Sequence, residues 1–294
     1  MPDYAALCTE WDGILARRRS MGSALALWTA VLQGWRNWDD RTVTPLGWTV
    51  EECRQRWERE VPLLADAAPP IAPESIEHLL GPLMERLAVV NGTAAAALSR
   101  FAVAWDEGLA SPASLYPSSG KGGVVSLQDE LDMPAYLTGF LAHAGLRPVL
   151  DAWFSRVRAL PEGVWDRGCC PWCGGMPSWG DLMKDGNVLL SCHLCGGAWP
   201  ATRLRCPFCD VGQSKDMLPL VAKGAEQGYF VGTCRTCRGY LKGLDRRERW
   251  NAASPLVEDW ASPHLDWYAV RAGYHRPTPS LAQLLPDAGE GPPA

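Results

Sequence analysis

The chain has 294 residues, 47% hydrophobic and 21% charged, with a formal net charge of −5. That is an ordinary globular balance in a chain long enough to bury a real core, so metal or crosslinks need not hold all of it together; the length suits two domains more readily than one. From Cys169 to Trp250 there are 11 Lys/Arg against 7 Asp/Glu, and a balance this mildly positive says little for a nucleic-acid partner.

The first 160 residues read as successive helices. "MGSALALWTAVLQGW", after Arg17-Arg18-Arg19, starts too far in for a signal peptide and is followed by Arg36, Asp39 and Asp40 rather than a cleavage site. Leu25, Trp28, Leu32 and Trp35 fall at helical spacing, which predicts an amphipathic helix in a cytoplasmic protein with no membrane span. Thr49 and Glu52 form a capping box at the start of "TVEECRQRW". "PESIEHLLGPLMERLAVV" puts Ile76, Leu79, Leu80, Leu83, Leu87 and Val90 on one face, with Pro82 expected to kink or interrupt it. Asn91-Gly92 separates this from an Ala-rich helix, and "SPASLYPSSGKGG" is a loop by composition. Pro134 opens a long apolar segment that Gly145 and Pro148 are expected to divide into two helices.

From Gly168 the texture changes to short apolar runs among Cys, Gly and Pro. "MPSWGDLMKDGNVLLSC" reads as a hairpin turning at Asp185-Gly186, and Met217 to Val231 as a second, turning near Gly224 to Gly228. After Trp250 a helix-like pattern returns around Trp260, Leu265 and Val270, and "PDAGEGPPA" reads as a disordered tail. The expected organisation is a helical domain (1–160), metal-binding modules (166–250), a C-terminal helical segment (251–285) and a tail (286–294). The fold class is α+β: an all-α domain followed by two small rubredoxin-like or zinc-ribbon modules built on β-hairpins. Most of the fifteen Trp should lie in the core, the rest on a protein-docking surface.

Each hairpin sits between two Cys-x-x-Cys pairs: Cys170/Cys173, Cys192/Cys195, Cys206/Cys209 and Cys234/Cys237. Such a turn points both sulfurs at one spot, and two turns make a tetrahedral four-sulfur cage for zinc or a single rubredoxin-type iron. Eighteen residues separate the first two pairs, ten the middle two and twenty-four the last two, so the simplest assignment is sequential: two ions, each held by four Cys. Interleaved pairing, one with three, is the alternative. Gly174-Gly175 and Gly196-Gly197 follow their pairs and let backbone N–H groups turn toward thiolates; Asp210 and Arg238-Gly239 give a weaker signal after the last two.

The competing readings are weaker. A redox motif needs one pair at a strand–helix junction, with Cys170-Pro-Trp-Cys173 the nearest candidate, and a reducing compartment argues against disulfides. Cys169 is expected beside a cage, and Cys8 and Cys53 as buried thiols. His193 is expected to be a solvent-facing spacer, and His264 and His275 to be surface residues. No phosphate loop, His-Glu-x-x-His, Gly-x-Ser-x-Gly or acid–base pair marks a catalytic site.

"CCPWCGGMP", "LLSCHLCGGAWPATRLRCPFC", "CRTCRGYLKGLD" and "LVEDWASPHLDWYAVRAGYHR" together resemble the formate dehydrogenase accessory proteins of the FdhE type, over roughly Leu137 to Arg276. The likeness includes Trp199, Arg203 or Arg205, and Tyr240-Leu241-Lys242; the sequence departs at "LDWYA" and in its many Trp. The resemblance implies a soluble cytoplasmic protein, not an enzyme, with a helical domain and two rubredoxin-like modules that bind iron through the eight paired cysteines. It also implies binding to the catalytic subunit of a molybdenum- or tungsten-containing formate dehydrogenase, which needs the protein to become active. A homodimer through the helices is left open. Two further readings compete: a zinc-ribbon nucleic-acid binder using a basic strip of Arg203, Arg205, Arg235, Arg238, Lys242, Arg246, Arg247 and Arg249, and a rubredoxin-like electron carrier.

Overall fold

A computed structural model describes residues 3–39, 41, 43–116, 127–201, 205–212, 216–220 and 226–285. The expected tail at 286–294, Arg203, part of the second hairpin's turn and the whole "PSSGKGG" stretch lie outside the described residues.

Among the described residues of the first 160 are seven α-helices: α1 (Tyr4–Arg17), α2 (Gly22–Arg36), α3 (Val50–Glu58), α4 (Glu74–Val90), α5 (Gly92–Asp106), α6 (Leu127–Glu130) and α7 (Ala135–Trp153). The Thr49/Glu52 capping box starts α3, the Asp3 side chain caps α1 and the Asn91 side chain caps α5. The expected division of the later segment fails: α7 runs unbroken through Gly145 and Pro148. α4 likewise is not interrupted at Pro82. A proline inside a helix forfeits a backbone hydrogen bond, but both helices are held by burial. Ile76, Leu79, Leu80, Leu83 and Leu87 are buried along α4, and every residue of α7 from Phe140 to Trp153 is buried. Gly145 is a close-approach residue, not a breaker. A Cβ there would lie 3.1 Å from Leu80 Cδ2, so its absence lets α4 and α7 touch.

The next six elements form one sheet: β1 (Pro177–Leu182), β2 (Val188–Cys192), β3 (Ala198–Ala201), β4 (Met217–Leu220), β5 (Tyr229–Cys234) and β6 (Tyr240–Asp245), in the order β3-β2-β1-β6-β5-β4. β1–β3 make one antiparallel ribbon and β4–β6 another. They join along a parallel seam, with Trp179 opposite Lys242 and Leu182 opposite Asp245. The first hairpin turns where expected, with Gly186 at φ 86°. Each edge strand carries a proline, Pro200 on β3 and Pro219 on β4, which removes a donor from the open edge.

The C-terminal segment, α8 (Pro255–Ala261), α9 (Pro263–Arg271) and α10 (Leu281–Leu284), links helices to sheet. Trp260 on α8 stacks on Trp28 of α2 with ring centroids 4.2 Å apart and planes 7° from parallel. Trp11, Trp35 and His143 surround that stack. Beneath the sheet seam, Lys242 donates to Asp266 Oδ2 at 2.6 Å and lies 3.0 Å from Asp259 Oδ1. Arg276 donates to Asp259 Oδ2 at 2.6 Å, Asp266 Oδ1 at 3.0 Å and the Ser178 carbonyl at 3.0 Å. All four ionic side chains are buried. Burial alone would raise the Asp259 carboxyl, but the charges and hydrogen bonds of Arg276 and Lys242 outweigh it and hold the group below its ordinary range.

The hydrophobic core divides unevenly. One continuous cluster takes in the helices together with Cys170, Trp172, Cys173, Leu190, Cys192, Leu194, Cys195 and Trp199 of the first ribbon. A small second cluster joins Trp179, Tyr229, Val231, Tyr240 and Leu244 to Leu265 and Ala269 of α9. Most of the tryptophans are buried, as expected, whereas Trp250 is 76% exposed. Among the described residues, no helix is long and apolar enough to cross a membrane.

Candidate metal centres

The four Cys-x-x-Cys turns share one backbone plan. In each, the N–H of the first cysteine donates to the carbonyl five residues on: Cys170 to Gly175 at 2.8 Å, Cys192 to Gly197, Cys206 to Val211 and Cys234 to Gly239, each at 2.9 Å. The residue after the second cysteine is left-handed in all four, with φ of 73° at Gly174, 64° at Gly196, 64° at Asp210 and 58° at Arg238. The N–H groups of Gly175 and Gly239 point at Cys173 Sγ and Cys237 Sγ, both at 3.4 Å.

These turns bring the sulfurs together in two groups, Cys170/Cys173/Cys192/Cys195 and Cys206/Cys209/Cys234/Cys237, with the ligand atoms of each group all within 4.8 Å of one another. The grouping is sequential; the interleaved alternative does not occur. Four sulfurs about 2.3 Å from a central ion sit roughly 3.8 Å apart along a tetrahedral edge. Cys170–Cys195 and Cys173–Cys192 are 3.4 Å apart, and Cys206–Cys237 and Cys209–Cys234 are 3.7 Å apart. The donor sets therefore fit a tetrahedral thiophilic ion such as zinc or iron, and all eleven cysteines are free of disulfides. Cys169 belongs to neither group; it is half-buried, and its carbonyl accepts from Trp165 Nε1 at 2.9 Å.

The first cage is enclosed by the helical region. Leu63 N–H and Trp57 Nε1 donate to the Pro171 carbonyl, and Leu64 N–H to that of Trp172. Trp172 Nε1 donates to the Val157 carbonyl at 2.8 Å. From α7, His143 Nδ1 bonds the His193 carbonyl, inside the second Cys pair. Arg158 donates to Cys195 Sγ at 3.5 Å, to the Cys195 carbonyl at 2.8 Å and to Asp151 Oδ1 at 2.8 Å. Asp151 Oδ2 also accepts from Arg147 Nε at 2.8 Å and Tyr4 Oη at 2.6 Å. Four thiolates around a divalent ion leave a net anion, and a buried anion needs a partner; Arg158 supplies one. Burial pushes the Cys170 and Cys173 thiols up. The same burial acts on Cys195, but hydrogen bonds from the other three thiols and the Arg158 charge take it well below its ordinary value.

His143, Arg147 and Asp151 recur at intervals of four along an otherwise apolar α7, so they form one polar stripe facing the first cage. The sequence carries that signal in "HAGLRPVLD"; Arg158 lies beyond the helix and has none. His193 corrects an expectation. It is a half-buried residue whose Nδ1 bonds the Met176 carbonyl at 3.0 Å, and burial lowers its pKa to about 4. His264 is likewise half-buried against Tyr229, while His275 is exposed as expected.

The second cage is open. Cys206 and Cys234 are buried, Cys237 is half-buried and Cys209 is exposed. The expected basic strip near it is dispersed. Lys242 is in the buried ionic cluster, Arg205 pairs with Asp166 and Asp210, and Arg246 pairs with Asp181. Arg247 pairs with Asp245, Arg249 with Glu226, and Arg238 donates to the Ala272 and Gly273 carbonyls.

No protein-family profile matches the chain. It is 33% identical over 183 residues to a Pseudomonas aeruginosa FdhE homologue, covering 57% of this chain and 56% of that one. A Stutzerimonas stutzeri homologue is 33% identical over 120 residues, 38% of its length, and a Pseudomonas putida homologue 28% identical over 277 residues, 76% of its length. The first two matches thus span little more than half, and well under half, of those relatives. The crystal structure of the FdhE protein from Pseudomonas aeruginosa superposes with a TM-score of 0.59 at 25% identity, over 97% of both chains. The chain is thus similar to FdhE proteins in architecture from end to end, and in sequence over parts of its length.

Proposed function

We propose that the protein is an accessory factor, not an enzyme, that binds the catalytic subunit of a molybdenum- or tungsten-dependent formate dehydrogenase in the cytoplasm and is needed for that subunit to become active. Its eight paired cysteines, Cys170, Cys173, Cys192, Cys195, Cys206, Cys209, Cys234 and Cys237, are the ligands of two iron or zinc ions. The helical region (1–160) holds the client, the cysteine modules (166–250) present a rigid surface, and 251–285 straps the two together. The observation that carries the reading is the pair of closed four-sulfur donor sets within the FdhE architecture. Four protein sulfurs leave no open coordination position for substrate, which favours a binding role over catalysis. Engagement of most of the basic side chains around the second cage in ion pairs speaks against the nucleic-acid alternative.

The test is co-purification with a formate dehydrogenase catalytic subunit and assay of formate oxidation in a deletion strain. Capture of the subunit and loss of activity are expected; unchanged formate oxidation overturns the reading. Elemental analysis with a visible spectrum identifies the metal, and a colourless zinc protein eliminates electron transfer.

A further inference from the structure

The two cages offer the same four donors in opposite surroundings. All four sulfur residues of the first are buried, and they belong to the main hydrophobic core. Its peptide turns are tied to the helical region at Trp57, Leu63 and Leu64, His143, and the Val157 carbonyl. Arg158 places a guanidinium on Cys195 Sγ. The second cage has an exposed cysteine, Cys209, and a half-buried one, Cys237. Of its four cysteines, none belongs to either hydrophobic cluster.

A thiolate cage loses its ion chiefly by associative exchange. An incoming ligand must reach the metal through a sulfur that can swing away, whereupon a metal–sulfur bond breaks, a bond to the newcomer forms and the freed sulfur takes a proton from water. Burial blocks the approach, and a cation beside the sulfur stabilises the net anion in place. Both obstacles stand at the first cage, whereas Cys209 is exposed.

We propose that the two centres divide their work: the first is a locked structural ion, and the second exchanges its ion with thiol- or imidazole-bearing ligands through Cys209. This rests on the reading of both cages as metal sites.

The full chain, loaded with zinc and shown by elemental analysis to hold two equivalents, is mixed with an excess of a coloured pyridylazo chelator. Release is expected in two phases of one equivalent each. Iodoacetamide added after the fast phase, followed by peptide mapping, should label Cys206, Cys209, Cys234 and Cys237, and label Cys170, Cys173, Cys192 and Cys195 only after the slow phase. Arg158→Gln should weaken the slow site about 10- to 100-fold in zinc affinity and leave the fast phase unchanged, with Arg158→Lys recovering part of the loss. Two equivalents leaving in one phase, or label appearing first on the Cys170–Cys195 group, overturns the proposal while leaving the metal-site reading intact. A chain that holds no zinc or iron overturns both.

Discussion

At the residue after the second cysteine, the first ribbon has Gly174 and Gly196, and the second has Asp210 and Arg238, yet all four are left-handed. The backbone hydrogen bond that closes each turn sets this φ, whatever the side chain. What differs is the space outside. A Cβ on Gly196 would lie 1.9 Å from Arg147 Nη2, and one on Gly197 2.3 Å from Trp172 Cε3. In the second ribbon the same position faces outward, so Asp210 can pair with Arg205, and Arg238 can lie over the Tyr274 ring. One turn geometry thus takes glycine at Gly196, where protein presses on it, and a charged residue at Asp210 and Arg238, where solvent does. The lesson is that the cysteine spacing encodes the cage, while the flanking residues encode its surroundings.

The largest expected effect tests that division directly. Cys195→Ser should cost the first centre its ion, and four-sulfur sites contribute about 10–16 kcal/mol of apparent binding to folding in small modules. Because that cage lies within the main core, thermal unfolding followed by near-ultraviolet circular dichroism should lose its cooperative transition. Cys209→Ser should lower metal content toward one equivalent yet leave the helical transition in place. Equal damage from the two substitutions breaks the comparison.

Next in size is the cluster that anchors the second ribbon to α8 and α9. Lys242→Met leaves Asp259 and Asp266 with one cation, Arg276, where they had two. Removing one partner of a buried ionic group costs about 3–5 kcal/mol, measured as a shift in the urea midpoint. A change below about 1 kcal/mol would mean that ionic anchoring is not what compensates for the small second core.

Smaller again is the contrast at the turns. Gly196→Ala should cost about 1–3 kcal/mol, since it overpacks Arg147 and strains a positive φ. Asp210→Gly, at the matching place, should stay within about 0.5 kcal/mol. Chemical denaturation of both variants checks the pair; similar costs would show that φ alone governs the position.

Much of this was legible in the sequence, because spacing is a local signal. The four pairs, their sequential grouping, the Asp185-Gly186 turn and the Thr49/Glu52 box all depend on residues a few positions apart. What escaped is long-range. Pro82 and Pro148 look like breakers until burial of the rest of α4 and α7 outweighs one lost hydrogen bond each. Lys242 looks like one of a basic strip until β6 pairs with β1, sixty-odd residues away in sequence, and carries it over Asp259 and Asp266. His193 looks exposed inside its cysteine pair until α7 packs on that turn. No local pattern marks Arg158 as the cation for Cys195.

The smallest expected effect concerns acid at the second ribbon. His264 on α9 packs edge-on against Tyr229 of β5, with ring centroids 6.5 Å apart. Burial lowers its pKa from 6.5 to about 4, helped by the positive charges of Arg18 and Lys242 and opposed by Glu226 and Asp266. Between those values the unfolded chain binds a proton that the folded chain refuses. The stability associated with the neutral ring is therefore complete above pH 6.5 and is lost as pH falls toward 4. Moving from pH 7 to pH 5 should cost the native chain about 1 kcal/mol more than it costs His264→Gln, after allowance for partial solvent screening. Comparing urea midpoints of the two proteins at both pH values isolates this term, because protonation of cage thiolates affects both alike. Parallel pH profiles would show that α9 tolerates a charged ring beside Tyr229, and that the contact between the second ribbon and the C-terminal helices is looser than its burial implies.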